Sequence, residues 1–349
     1  MTPRTTPAQP WLFSQNLDLA AFGGSSLLGM ALAALGWKLG LLQTPLPFWA
    51  WLFVVVGVDV AHVHATWLRT YLDPSELKAH PARYALIPLA AWMSGAMLHG
   101  HSGQLFWRVL AYLAVFHFIR QQAGWVALYQ HKEPALPGFD RYLDRATIYA
   151  ATLWPLLWWH GNLPRAFAWF MEGDFAGPVA AWLALATWPV YLALLMAFTL
   201  RQIVRWKTES FIPAGKCIVV ATTALTWHFA IVTFNSDWAF TLLNVLPHGI
   251  PYMVLVWKRS KLEPGKAGAA GALIKAGPFI FAALLIIAAY GEEWLWDLGI
   301  WHDHPMLFGE GWDLTRTMQA LIVPLLALPQ ATHYLLDGFI WRSGKATAP

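Results

Sequence analysis

The chain has 349 residues, 58% of them hydrophobic and only 12% charged, and its mean hydropathy is +0.45. Several windows of about 20 nearly uncharged residues match a hydrocarbon core roughly 30 Å thick, which points to a polytopic, all-α membrane bundle and away from a soluble enzyme. The single cysteine, Cys217, excludes an internal disulfide, iron–sulfur ligation and a cysteine-based zinc site, and the net charge of +4 gives no reason to expect nucleic acid as a partner.

In chain order, hydropathy and helix breakers predict about ten spans, at 17–37, 47–71, 83–101, 104–130, 143–160, 178–206, 214–235, 237–258, 275–291 and 316–341. The polar N-terminus lacks a compact basic, apolar and small-residue pattern, so no cleaved signal peptide is expected. Trp11, Trp37, Trp49, Trp206, Trp257 and Trp341 mark span ends, where indole rings favour the headgroup region. With the N-terminus inside, one side of the membrane collects Arg4, Arg69, Lys78, Arg83, Lys132, Arg141, Arg145, Arg201, Arg205, Lys207, Lys216, Lys258, Arg259, Lys261, Lys266, Lys275, Arg342 and Lys345. The other side keeps Lys38, Arg108, Arg165 and Arg316. The positive-inside rule then puts both termini in the cytoplasm and, in a bacterium, the protein in the inner membrane. The opposite loops are acidic, with Glu172 and Asp174, then Glu292, Glu293, Asp297, Asp303, Glu310 and Asp313. Residues 260–272 are small and basic and read as flexible. No repeat or long linker divides the chain, so a single transmembrane domain over 1–349 is expected.

The second span carries an unusual polar stripe. Asp59, His62, Thr66, Arg69 and Asp73 follow at steps of three, four, three and four, which places them on one side of a helix. Ionisable groups at membrane depth are costly and face a bundle interior, a partner or a cavity. Asp59 and His62 lie deep and are the site candidates; Arg69 and Asp73 reach the cytoplasmic surface, where anchoring explains them. His64 is about 200° around the helix from His62, so the two cannot chelate together on regular geometry.

Three more spans running the same way each carry a deep histidine: His117, His248 and His333. Each has a polar neighbour about one turn away: Arg120 and Gln121 after His117, Asn244 before His248, and Asp337 after His333. A metal-ligating histidine normally gives its second ring nitrogen to such a group, which sets the tautomer. Four imidazoles with nearby carboxylates and no thiolate suit a transition metal, with iron favoured and zinc, manganese or copper as alternatives. Polar side chains on spans also tie helices together, and each histidine taken alone has that structural reading.

His228 and Asp237 form a candidate secondary polar unit, and Asp237, Thr241, Asn244 and His248 again share a stripe that could be a channel or a packing seam. His99, His101, His302 and His304 read as solvated or interfacial, with an external metal or proton entry site beside Glu292 and Glu293 as the lesser reading. His160 reads as interfacial; His80 and His131 sit in loops. The leading functional expectation is a histidine-ligated non-haem iron oxidoreductase, of the oxygenase or desaturase type, acting on a lipid or other apolar isoprenoid-like substrate in the bilayer, with a redox partner or a second copy as further partners. The chain lacks the HxxxH and HxxHH boxes of membrane desaturases and hydroxylases. Phe116-His117-Phe118 and Pro247-His248-Gly249 resemble the scattered intramembrane histidines of bacterial membrane carotene-cleaving dioxygenases, and that resemblance, confined to two tripeptides, implies iron held by histidine. Two readings from other classes stand beside it. One is b-type haem binding for electron transfer through His117 and His131, with Gly124 between them. The other is a proton-coupled transporter using Asp59, Arg69, Arg120, Asp237 and Asp337.

Overall fold

The computed structural model describes residues 9–133, 136–262 and 268–341. Arg4, Lys266, Arg342 and Lys345, the first half of the polar N-terminus, and the 263–267 part of the segment read as flexible lie outside the described residues. Of the described residues 81% are helical, and no strand occurs among them.

A helix or helix pair coincides with every stretch read as a span. In chain order these are α1 (Gln15–Lys38), α2 (Phe48–Arg69), α3 (Pro81–His101), α4 (Gly103–Lys132), α5 (Gly138–Gly161), α6 (Trp182–Glu209), α7 (Ala214–Thr233), α8 (Asp237–Leu262), α9 (Pro278–Trp301), α10 (Arg316–Leu326) and α11 (Leu328–Ile340). Six of them, α1, α2, α6, α7, α8 and α9, are long and apolar enough to cross a membrane. Their outer faces are apolar, as at Leu27, Leu185 and Ile287, which are 65%, 64% and 66% exposed. Polar groups such as Asp18, Lys216 and His248 are buried instead. A protein in water would not leave so much aliphatic surface uncovered.

Local chemistry explains where the helices start and stop. Asp73 caps the short helix Pro74–Ala79, accepting from the Ser75 backbone N–H at 3.0 Å, with Pro74 at the first helical position. Arg69 lies over the Trp341 ring at 5.2 Å. The outer two members of the stripe on α2 therefore have structural work. Two differences from expectation stand out. The last predicted span is a pair of helices, parted at Ala327 ahead of Pro329, because proline cannot donate the bond that would continue a helix through it. The ninth runs on past 291, so Glu292, Glu293 and Asp297 are helical rather than loop residues, and Glu292 and Asp297 are buried. Their burial is tolerable because donors meet them: the Trp296 indole reaches Glu292, and the backbone N–H groups of Asp303 and His304 reach Asp297 at 2.9 and 3.0 Å.

The fold divides into two compact units. One comprises 1–47, 115–168 and 175–251, and the other 48–114, 169–174 and 252–349. In the first, α5 packs along α6 and α7, and α7 packs on α1. Trp154 stacks near Tyr191 at 4.8 Å, and Phe22 meets Trp125 edge-on at 5.0 Å. Gly36 leaves room for the Trp238 indole, which donates to the Leu32 carbonyl at 3.0 Å. In the second, α2 packs on α9 and α11, and α3 on α10 and α11. Its core joins Val60, Ala61 and Leu68 of α2 to Tyr252 and Val256 of α8 and to Phe281 and Leu285 of α9.

Candidate metal centre

His62 sits on α2 just after a long π-helical stretch, Trp51–Val60. Such wide turns shift side chains around a helix and are frequent at functional sites. His62 meets His333 of α11 edge-to-face, ring centroids 5.0 Å apart, and Tyr252 of α8 in the same manner at 5.8 Å. The Nδ1 atom of His333 lies 2.7 Å from the Thr66 hydroxyl, one turn beyond His62. The Thr66 hydroxyl is also 2.8 Å from the Tyr252 hydroxyl, which donates to Asp337 Oδ1 at 2.6 Å. An unbroken polar chain thus runs from the Asp337 carboxylate through Tyr252 and Thr66 to His333. With Nδ1 engaged by Thr66, Nε2 is the nitrogen that His333 would offer a metal. Asp59, half-buried, brings Oδ1 to 3.6 Å from His62 Nδ1.

His117 of α4 and His248 of α8 form a similar pair, centroids 5.2 Å apart and rings nearly perpendicular. The His248 ring lies flat on Phe118, at 3.4 Å between centroids and 6° between planes, which sets its orientation. Pro247 and Pro251 each remove one helical N–H donor from this stretch of α8. The side-chain amide of Gln121 reaches in to donate to the His248 carbonyl at 2.9 Å. Polar backbone at this depth needs such a donor.

One ring nitrogen from each of His62, His117, His248 and His333 lies within 4.8 Å of every other, and all four side chains are buried. Four imidazole nitrogens at about 2.1 Å from an ion sit about 3.4 Å apart in tetrahedral geometry and about 4.2 Å apart when trans. The cluster is therefore within a small contraction of a coordination sphere. The donor set is uniformly neutral nitrogen, which suits iron, copper, zinc or nickel and does not suit magnesium or calcium, whose ligands are oxygen. This buried four-histidine group could bind a transition metal.

The other candidates take other places. Arg120 is exposed and gives its guanidinium to the Tyr149 hydroxyl. Asn244 donates back to the Phe240 carbonyl of its own helix at 2.9 Å and lines a small polar cavity with Ser26, Gln122 and Thr223. His228 lies parallel to Trp154 and Tyr191 in an aromatic stack, and Asp237 accepts from the Leu46 backbone N–H at 3.2 Å. His64, His228 and Asp237 all fall outside the four-histidine group. His131 is exposed at the end of α4.

Sequence reasoning missed one participant, Tyr252. It carries no signal beyond its position one turn after His248. The chain matches no protein-family model, no curated protein and no solved structure, so its function is argued from this site.

Proposed function

We propose that the chain is an integral membrane metalloprotein whose centre is iron held by His62, His117, His248 and His333, and that it acts as an oxidoreductase on a lipid or isoprenoid. One observation carries this reading: four buried histidines from four different helices bring nitrogens within 4.8 Å of one another. A bundle has little structural use for four ionisable rings at one point in an apolar setting. Four neutral ligands would leave the charge of a dication uncompensated, and the carboxyl groups of Asp59 and Asp337 lie beside His62 and His333, at 3.6 and 3.8 Å from their Nδ1 atoms. Zinc in four-coordinate structural sites is closed, whereas an ion that accepts more ligands, held by these four histidines, would keep room for a substrate. Ferrous iron in such a setting supplies activation of dioxygen as co-substrate near an apolar chain. The protein's own part is orientation: Thr66, Tyr252 and Asp337 hold the His333 tautomer, Phe118 holds the plane of His248, and the surrounding aromatic and aliphatic side chains exclude water.

The same reading takes all ten stretches as membrane crossings. The six helices named above supply the clearest cases, and lysine and arginine asymmetry favours cytoplasmic termini and, in a bacterium, the inner membrane.

Metal analysis of purified protein tests the proposal. The expected result is about one iron per chain, lost in a His62→Ala/His333→Ala double variant, together with oxygen-dependent turnover of a carotenoid or other polyene in detergent or nanodiscs. A wild type that binds no transition metal and moves protons in liposomes overturns it in favour of a carrier.

A further inference from the structure

Glu292 is a buried carboxylate that the centre described above does not use. It lies on α9, 7% exposed, and three side chains converge on it. His64 of α2 brings Nε2 to 3.0 Å from Oε2. Gln330 of α11 donates its amide to Oε1, and the Trp296 indole donates to the same oxygen at 3.3 Å. Two of these three belong to helices that carry a histidine of the centre. His64 is two residues after His62 and about 200° around α2 from it. Gln330 is one turn before His333, close to its face of α11.

We infer that Glu292 is a positioning residue for the metal centre: one carboxylate grips α2 and α11 from behind and sets the spacing between His62 and His333. This rests on the four-histidine reading above. The physical case is that a carboxylate at membrane depth is costly, and packing alone would be served by a leucine or a methionine. An acceptor with two oxygens can take donors from two helices at once, which an aliphatic side chain cannot. The grip acts on directions as well as distance. His64 approaches from α2 at one oxygen and Gln330 donates from α11 at the other, so sliding either helix along its axis breaks a polar contact with the carboxylate. Residues outside the ligand set that orient it commonly cost 10–100-fold in metal affinity when removed, and Glu292 would belong with them.

The test uses full-length protein in detergent, loaded with Co(II) as a spectroscopic probe and with Fe(II), Glu292→Ala and Glu292→Gln being compared with wild type and with Asp297→Asn. Asp297 is a second buried carboxylate on the same helix that accepts only from the following turn in the contacts described, so its variant controls for damage to α9. The expected result is a roughly 10–100-fold loss of metal affinity in Glu292→Ala, with a changed Co(II) ligand-field spectrum. Glu292→Gln, which keeps an oxygen for Gln330 and Trp296, should recover part of both, and Asp297→Asn should match wild type. A merely structural role would lower thermal stability and leave the cobalt spectrum of the folded fraction unchanged, which overturns the inference. Should Glu292→Ala fail to fold, Gln330→Leu removes one arm of the grip, and an unchanged spectrum there overturns it equally. The two failures are distinguishable: wild type that takes up no metal brings down the four-histidine reading and this inference with it, whereas wild type and Glu292→Ala that bind alike bring down this inference alone.

Discussion

The Thr66 hydroxyl lies 2.7 Å from Nδ1 of His333, and Tyr252 closes the link to Asp337 behind it. A threonine in a membrane helix ordinarily bonds back to its own carbonyls, as Thr70 does to Thr66 at 2.9 Å. Thr66 instead connects α2 to α11 and α8. Thr66→Val keeps the shape and removes the hydroxyl that links Nδ1 of His333 to the Tyr252 hydroxyl. The expected outcome is a metal affinity reduced by roughly 10–100-fold. Tyr252→Phe should have a similar effect, and the double variant should cost less than the sum, because the two hydroxyls act in one chain. Titration with a competing chelator measures all three; strict additivity would show that Thr66 and Tyr252 act separately.

Replacing a ligand should be more damaging than replacing a supporter. His117→Ala or His248→Ala should lower bound iron below that of Thr66→Val, by more than the roughly 10–100-fold expected of an outer partner. His228→Ala is the comparison. Its ring lies in the stack with Trp154, 6.0 Å between centroids, and its loss should leave iron content unchanged while reducing thermal stability. Elemental analysis of the four variants decides the matter, and equal iron in His117→Ala and wild type would remove His117 from the ligand set.

Much of the centre was legible because its chemistry is rare at that depth. His62, His117, His248 and His333 stood out as imidazoles inside apolar helices, and the α-helical repeat correctly put Thr66 on the His62 side of α2. What could not be read was partner choice across helices. Asp337 and His333 are one turn apart and bring Oδ1 and Nδ1 to 3.8 Å, but the short bond of Asp337 is with Tyr252, a residue that looks like ordinary aromatic packing. Arg120 looked like a partner for His117 and takes Tyr149 instead, since three residues along a helix still leaves a rotation large enough to face another neighbour. From sequence, Glu292 reads as an external loop charge and Lys216 as a charge at the cytoplasmic side. Each is buried among donors or acceptors contributed from far along the chain, and no local pattern announces that.

Lys216 shows what such charges do. It is fully buried near the start of α7, its Nζ 2.5 Å from Glu133 and 2.6 Å from Asp144. Arg205 of α6 adds a 2.8 Å bond to Glu133, and Gln130 one of 2.9 Å to Asp144. The cluster therefore clasps α4, α5, α6 and α7 at one end. Lys216→Met leaves two buried carboxylates without their shared cation, and breaking a buried pair in this way costs about 3–5 kcal/mol. Chemical denaturation in detergent should show that loss while bound iron per folded chain is kept. A change under about 1 kcal/mol would place the cluster in water rather than in the protein.

The connection between α5 and α6 supplies a pH dependence with a definite sign. Asp174 is buried there, and its Oδ2 accepts from the backbone N–H groups of Trp169, Phe170 and Met171 at 2.8, 2.7 and 3.3 Å. Burial pushes its carboxyl above the ordinary range, and the backbone donors only partly offset that push. A raised value in the folded state means that the native protein holds this proton more tightly than the unfolded chain does. The associated stabilisation is complete below the unfolded value of about 4 and is lost as pH rises through the raised folded value. Asp174→Asn keeps an oxygen acceptor for the three N–H groups and cannot ionise, so its denaturation midpoint should lack this component of the pH slope. Measured side by side from acid to neutral pH, wild type should lose stability relative to Asp174→Asn as pH rises. Parallel curves would assign the slope to other groups and show that the three backbone donors hold the ionised carboxylate as well as the neutral one.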